Sequence, residues 1–406
     1  MKTVWMLNHY AQEPSHPGGT RHYSLGRHLL SSGWRTFIIA ASTGLHTSQQ
    51  RLAPGETTRI DTFDGVSFLR VRTPEYKGNG GGRLINMLVY CWRALLPSTT
   101  HGLPRPDVVI GSSVHPFAAV AGRLLARRFR VPFIFEVRDL WPQTLVDMGR
   151  LSPNSFSVRL MRWMERWLYR RADRIVVLLP LAADYIVPLG IPMERIVYVP
   201  NGVEPGSPPP DATPRETFDL MYFGAHGQAN GLDNIVRAMK FVSDKDGSRH
   251  IRLRMIGDGP MKASLVATAR ELGLQNVVFE PPVPKSAIPD IAATADAFIF
   301  NLMDVPVFRY GISSNKLFDF LAASRPIIFC CTSGNNPVAD ASAGITVAPN
   351  DPEALSRAIM TMAATPIEER SRMGRSGRSY VEANHSFGSL ARRLSAVLDE
   401  AIRSSR

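Results

Sequence analysis

Two successive series of short apolar segments, each alternating with helical periodicity, constrain the fold of this chain more than any other feature. Segments at Lys2–Asn8, Arg35–Ala40, Val66–Arg72, Asp107–Gly111, Phe133–Val137, Arg174–Leu178 and Ile196–Val199 read as strands. Helical patterns at about Thr20–Ser31, Leu84–Leu96, Pro116–Arg130, Ser155–Ala172 and Leu181–Leu189 fall between most of them. Leu45–Asp61 shows no clean period and reads as loop. Pro200–Arg215 then breaks the pattern with six prolines and two glycines, the composition of a linker. A second series follows. Strands are predicted at Leu220–Phe223, Ile251–Ile256, Val277–Phe279, Ala297–Asn301, Ile327–Phe329 and Ile345–Val347. Helices are predicted at Gly231–Val242 and Met261–Leu272, near Ile288, at Asn315 to about Ser324, and at Pro352–Ala363, Pro366–Glu382 and Phe387–Arg403. Strands this uniformly apolar belong to parallel sheets covered on both faces, so the fold class is α/β, built from two Rossmann-like domains. The predicted division is residues 1–200, a linker at 201–215 and residues 216–385, with a terminal helix over 386–406 packing back on the first domain. Ligands of such sheets bind beyond the carboxyl ends of the strands, which places the expected site in a cleft between the two domains.

Over 406 residues, 44% hydrophobic and 20% charged content describes an ordinary globular chain. Met1 runs directly into a strand pattern without resembling a signal peptide, and Leu84–Leu96 is too short and too interrupted to span a bilayer. The three cysteines, Cys91, Cys330 and Cys331, form neither a disulfide framework nor a metal motif, which fits a reducing cytoplasm. Charge is unevenly placed. Residues 1–200 hold 25 Lys and Arg against 13 Asp and Glu, and residues 201–406 hold 22 against 22, so the net +12 belongs to the first half. That half faces an acidic partner, or else carries only a basic solvated surface.

The stretch Arg309–Ile328, RYGISSNKLFDFLAASRPII, carries the sharpest chemistry. Gly311, Ile312, Ser313 and Ser314 lead into a helix that places Asn315, Lys316 and Asp319 in its first two turns. The first amides of a helix have no partner within it and hold about half a positive charge, so small residues before them let an anion approach. Lys316 adds a full charge, and Asp319 shares its face. A diphosphate carrying a ribose suits this set; a merely well-capped helix is the plainer alternative.

Other loops also end strands. Gly18 and Gly19 after the first strand offer amides to a phosphate, or form a plain turn. His115, just before Pro116, opens a helix and either serves a substrate hydroxyl or only caps. Arg138, Asp139 and Trp141 lie in EVRDLWPQ; Asp139 either takes a proton from an acceptor hydroxyl or pairs with Arg138. In FGAHGQANGLD, the residues Gly224, His226, Gly227 and Asn230 form a second anion-cradle loop, and Gly257-Asp258-Gly259 reads as a turn. Asp244-Lys245-Asp246 resembles a metal-binding DxD but lies in a polar loop away from the predicted site. Gly78–Gly82 lacks the strand and spacing of a dinucleotide fingerprint, and no metal-ligand spacing occurs.

Together the PGG loop, His115, RDLWPQ, FGAHGQANGLD, MIGDGP and YGISSNKLFDFLAASRPI resemble the retaining glycosyltransferases of family 4, which have the GT-B fold, over almost the whole chain. The RDLWP and GISSNKLFDFLA segments look most like the branch that adds amino sugars in bacterial surface-polysaccharide assembly. The resemblance implies transfer of a hexose or N-acetylhexosamine from a UDP-sugar with retained configuration and no metal or other cofactor. It implies that Asp319 holds the ribose and that Lys316 with the Ser314 and Asn315 amides holds the diphosphate. It also implies that Gly19 lies beside the leaving phosphate and His115 beside the donor sugar, with Arg138 and Trp141 toward the acceptor. Two positions depart from the family pattern. Gly311 stands where the first acid of its E-x7-E motif belongs, and His226 and Asn230 stand where many members carry Arg and Lys.

Ser155–Ala172 mixes Arg with Trp, Leu and Met at helical spacing, which suits an anionic membrane interface and a lipid-linked saccharide acceptor. Packing of Trp163 and Trp167 as core is the alternative. The expected location is therefore cytoplasmic, peripheral at the inner face of the membrane, with no nucleic-acid partner. A UDP-sugar 2-epimerase of the same fold is the rival enzyme class.

Overall fold

The computed structural model describes residues 1–405 apart from 15–18, 45–48, 79, 211–212, 246–249 and 285–286; Pro17, Gly18 and Asp246 thus lie outside the described residues. The chain divides into two compact units, Met1–Asn201 with Phe387–Arg406, and Gly202–Ser386.

The first unit contains β1 (Lys2–Leu7), α1 (Arg21–Leu29), β2 (Trp34–Ala41), β3 (Thr58–Phe63), β4 (Val66–Val71), α2 (Gly81–Ala94) and α3 (Pro97–Thr100). It continues with β5 (Val108–Ser112), α4 (Pro116–Phe129), β6 (Phe133–Val137), α5 (Gln143–Asp147), α6 (Phe156–Arg171), β7 (Arg174–Val177), α7 (Ala183–Ile186) and β8 (Ile196–Tyr198). Its eight strands run in the order β3-β4-β2-β1-β5-β6-β7-β8. All pairs are parallel except β3 with β4. The crossovers diverge on either side of β1, so the loops after β1 and β5 open at the switch point of the sheet, where such folds bind ligands.

The second unit contains β9 (Phe218–Phe223), α8 (Leu232–Ser243), β10 (Ile251–Ile256), α9 (Lys262–Glu271), β11 (Val277–Glu280), α10 (Ile288–Ala293) and β12 (Ala297–Asn301). After these come α11 (Asn315–Ala322), β13 (Ile327–Cys330), α12 (Pro337–Asp340), β14 (Gly344–Val347), α13 (Pro352–Ala364) and α14 (Ile367–His385). Its six strands are parallel in the order β11-β10-β9-β12-β13-β14, with the switch at β9 and β12. The last helix, α15 (Phe387–Ser404), returns to the first unit. There Leu390, Leu394, Val397 and Leu398 are buried in the same core as Leu25 and Leu29 of α1.

α11 is held by its apolar face. Leu317, Phe318, Phe320 and Leu321 are buried, and Phe320 stacks on Phe298 at 4.6 Å and meets Phe223 at 4.7 Å. Burying each such side chain contributes about 1.5–3 kcal/mol. That clamp turns Asn315, Lys316 and Asp319 away from the core.

The structure departs from the sequence expectations at several places. Thr58–Asp61, the end of the stretch read as loop, belongs to the edge strand β3, which is joined to β4 by Asp64 and Gly65, both at positive φ. Asp-Gly is the residue pair that a tight hairpin favours, but the half-exposed strand before it blurred the alternation. Leu181–Leu189, read as one helix, is the short α7 followed by a 3-10 turn, because Pro188 cannot donate to a helical ladder. The Ser314 side chain makes no capping bond, and α11 ends at Ala322 with Ser324 in the left-handed region. Trp163 is not core: it is 62% exposed, and the inward face of α6 is formed by Val158, Met164, Glu165, Leu168 and Tyr169.

Candidate active site

In the second unit, the loop after β9 and the start of α11 meet through one lysine. Lys316 Nζ donates to Tyr222 OH at 2.5 Å and to Asn230 Oδ1 at 2.8 Å, and it lies 4.3 Å from the Tyr222 ring centre. Tyr222 OH and Asn230 Nδ2 in turn both donate to the Ala225 carbonyl, at 2.8 and 2.9 Å. Burial lowers the Lys316 pKa to about 7. Gly224, at φ +134°, permits this approach: a Cβ there would stand 2.9 Å from Lys316 Cε. Gly257-Asp258-Gly259 props the loop from behind. A Cβ on Gly257 would lie 2.0 Å from the Gly224 carbonyl oxygen, and the His226 amide donates to the Asp258 carbonyl at 2.8 Å.

The His226 ring is fully buried beside Tyr222 and Phe279, with neither nitrogen hydrogen-bonded. Burial first, then the nearby Lys262, keeps it below the ordinary histidine pKa. Gly227 lies over the Asn230 amide, 3.5 Å from where its Cβ would be. Asn301, ending β12, donates to the Asn230 and Gly231 carbonyls at 2.8 and 2.9 Å and so ties the two switch-point strands together. Ahead of α11, Gly311 takes φ +98°, and Asn335 pins Ile312 by accepting from its amide at 2.7 Å and donating to its carbonyl at 3.2 Å. Ser313, Ser314 and Asp319 are half-buried and Asn315 is exposed around the same helix start. The loop and the helix thus form one cluster around a lysine, the arrangement an anion needs. Asp244, by contrast, pairs with Lys240 at the end of α8. A cavity of about 600 Å3 elsewhere on this unit is walled by the ion pairs Arg252–Asp219 and Arg254–Glu280, with Asp290 also in its lining.

In the first unit, His115 caps α4: its Nδ1 accepts from the Ala118 amide at 3.4 Å. A neutral ring that accepts at Nδ1 carries its proton on Nε2, and Nε2 is buried without a partner. Burial, with His9 and Arg83 nearby, holds its pKa well below the ordinary value. The ring packs edge-on against His9 at 4.7 Å, and His9 meets Tyr10 and Tyr90 at 4.2 and 4.5 Å. Buried polar atoms without partners are uncommon and call for a ligand or water. The Arg138 guanidinium turns to the loop after β1, with both terminal nitrogens 3.9 Å from a Cβ built on Gly19. Asp139 is exposed, and Trp141 is half-buried with its amide donating to the Asp139 carbonyl at 2.9 Å. Asp139 and Trp141 line a crevice of only about 10 Å3, room for about one water.

Sequence reasoning missed what lies beneath these loops. Glu136, in the middle of β6, is buried and accepts from Arg21 Nε at 2.9 Å and from Ser112 Oγ at 2.6 Å. His22 Nε2 is 2.7 Å from the same carboxylate, and Asn8 Nδ2 is 2.8 Å from His22 Nδ1. Burial raises the Glu136 pKa, but His22 and Arg21 outweigh it, so the carboxylate titrates well below its ordinary value. Arg21 also donates to the Val199 and Pro200 carbonyls. This cluster ties α1, β5, β6 and the end of the first unit's strand series to the loop that follows β1. The signal was a charge inside the apolar run FIFEV. A second tether holds that loop from β4, where Arg70 donates to the Ala11 carbonyl at 3.0 Å and pairs with Glu13.

Two doubly wound units, each with its polar loops at the switch point, give the chain the GT-B fold. Solved structures share this fold: sucrose-phosphate synthase from Thermosynechococcus elongatus superposes with a TM-score of 0.78 at 16% identity over 100% of both chains. HepE from Anabaena, solved in complex with UDP and glucose, gives 0.66 at 14% identity over 98% of this chain and 99% of that one. Residues 18–202 match the family described as glycosyl transferase 4-like domain, and residues 217–365 match glycosyl transferases group 1. The glycosyltransferase WbjE of Pseudomonas aeruginosa is 25% identical over 298 residues, 70% of this chain and 72% of that protein. The colanic acid biosynthesis glycosyl transferase WcaI of Escherichia coli is 22% identical over 232 residues, 53% of this chain and 56% of WcaI. The chain belongs to the family-4-like, group 1 glycosyltransferases.

Proposed function

We propose that this glycosyltransferase moves a hexose or N-acetylhexosamine from a UDP-sugar to a lipid-linked saccharide in bacterial surface-polysaccharide assembly, retaining the anomeric configuration. The carrying observation is the Lys316 ammonium, held by Tyr222 and Asn230 where the Gly224 loop meets the start of α11. HepE, with the same fold, is described in complex with UDP and with UDP-glucose, and WcaI is named for colanic acid biosynthesis. Both support the reading.

In it, Lys316 and the Ser314 and Asn315 amides take the diphosphate, and Asp319 takes the ribose hydroxyls. Glycosidic bond breaking leaves positive charge on the sugar and negative charge on the diphosphate. Donors already aimed at that anion need no reorganisation, and each good one contributes about 3–4 kcal/mol. The departing phosphate oxygen accepts the acceptor hydroxyl's proton on the same face, which retains configuration without a protein nucleophile. On the first unit, the His115 Nε2–H donates to the donor sugar, Gly19 lies beside the leaving phosphate, and Arg138, Asp139 and Trp141 serve the acceptor. The diphosphate charge is met by amides and lysine, with no metal or other cofactor. No helix among the described residues is long and apolar enough to cross a membrane. The proposed place of work is the inner face of the cytoplasmic membrane.

Thermal shift against UDP-, GDP- and dTDP-sugars tests the donor. A ligand at a hundred times its dissociation constant adds about 2.7 kcal/mol of stability. UDP-sugars are expected to raise the midpoint most; equal shifts by all three, or none, would refute the UDP assignment. Turnover of UDP-sugar without acceptor would instead point to an epimerase. His115→Asn separates the two units' roles, because asparagine keeps the α4 cap while removing the imidazole. Transfer should fall about a hundredfold or more with UDP affinity unchanged by calorimetry. A matching loss of UDP affinity would remove His115 from the sugar side.

A further inference from the structure

Helices α2, α4 and α6 pack side by side on the first unit, α2 against α4 and α4 against α6. They carry two, three and five arginines respectively and one acid, Glu165, which is buried. A surface helix ordinarily turns polar residues away from its core face. These do not. On α2, opposite buried Asn86 and Tyr90, stand Leu84, Ile85, Leu88 and Trp92, each 45–60% exposed. On α6, opposite Glu165 and Leu168, stand Phe156, Leu160 and Trp163, at 79%, 45% and 62%. Each stripe is about 10–12 Å long at the helical rise. Exposed Arg159, Arg166 and Arg170 border the stripe of α6.

We propose that this face lies on an anionic lipid surface. The apolar stripes of α2 and α6 enter the boundary between headgroups and acyl chains, and the bordering arginines meet lipid phosphates. The inference extends the lipid-acceptor reading, on which its biological sense rests, but it is measured separately from transfer. Charge complementarity selects the occupant. A second copy in an isologous contact would set arginine against arginine with no exposed acid from these helices between them. A nucleic acid would leave Leu, Ile and Phe facing phosphates, where reading needs polar or stacking contacts.

The full chain is sedimented with vesicles of equal parts phosphatidylglycerol and phosphatidylcholine, and with phosphatidylcholine alone. Binding to the anionic vesicles should be at least about tenfold tighter and should weaken steeply with salt, since screening shortens from about 10 Å at 0.1 M to about 3 Å at 1 M. Brominated acyl chains should quench Trp92 and Trp163. The variant Leu88→Glu/Trp163→Glu changes two exposed positions; it should lower vesicle affinity at least about tenfold while keeping the wild-type melting temperature and UDP shift. Equal binding to both vesicle types, unchanged binding of the variant, a dimer that the variant dissociates, or preference for RNA over vesicles would each overturn the proposal. A chain that answers UDP but ignores vesicles sinks this inference alone; one that binds vesicles but no nucleotide sinks the donor reading alone.

Discussion

Lys316→Ala is expected to lower turnover at least about a hundredfold, the cost of one preorganised donor to a developing anion. The tertiary contacts sharpen this expectation. In the protein as it stands, Lys316 is gripped by Tyr222 and Asn230, so the ammonium is positioned before any anion arrives. Lys316→Arg should not restore the rate: a planar guanidinium does not reproduce the compact ammonium that Tyr222 and Asn230 hold beside Gly224. A pH effect follows from the same burial. With a pKa lowered to about 7, Lys316 is charged below that pH and neutral above it in the unliganded protein. Only the charged form attracts a diphosphate, and binding raises the pKa in return. UDP affinity should therefore fall as pH rises through 7, and the Lys316→Ala variant should lack this slope. Calorimetry across pH 6–9 reads both. A variant with near-wild-type turnover would remove α11 from the mechanism.

The second large effect concerns stability. Glu136→Gln leaves Arg21 buried beside a neutral amide, and breaking a buried pair in this way costs about 3–5 kcal/mol. For a unit of this size that corresponds to a melting temperature lower by roughly 10 °C. The sign with pH is set by the depressed folded-state pKa of Glu136. Its contribution is complete above the unfolded carboxylate value and disappears as pH falls through the lower folded value. The gap between wild type and Glu136→Gln should thus close only in acid below the ordinary carboxylate range. A melting temperature within 2 °C of wild type at neutral pH would show that the cluster does not hold the loop after β1.

Much of the architecture was legible because parallel strands covered on both faces are apolar along their whole length, a signal local to the sequence. β9 and β12 are buried at every position, and both were placed to within two residues. β3 was not legible, since an edge strand half in solvent has no need of alternating apolar residues. The start of α11 and the Gly224 loop were also read from local chemistry. Their meeting was not: Lys316 reaches partners 94 and 86 residues away. The outward stripe of α6 belongs to the same class, because its apolar residues are consistent with either a core or a surface until the neighbours of the helix are known.

The order of residues alone therefore determined two α/β units and the break between their strand series, and it marked the stretch proposed to hold an anion. Those depend on periodicity, on proline and glycine, and on helix-terminus charge, all properties of neighbouring residues. Folding decided which side chains serve that stretch: Tyr222 and Asn230 on Lys316, Glu136 on Arg21 and His22, and Gly257 behind Gly224. It also decided which helix faces are left to solvent. Such partnerships depend on close packing between segments far apart in the chain, and no local pattern encodes them.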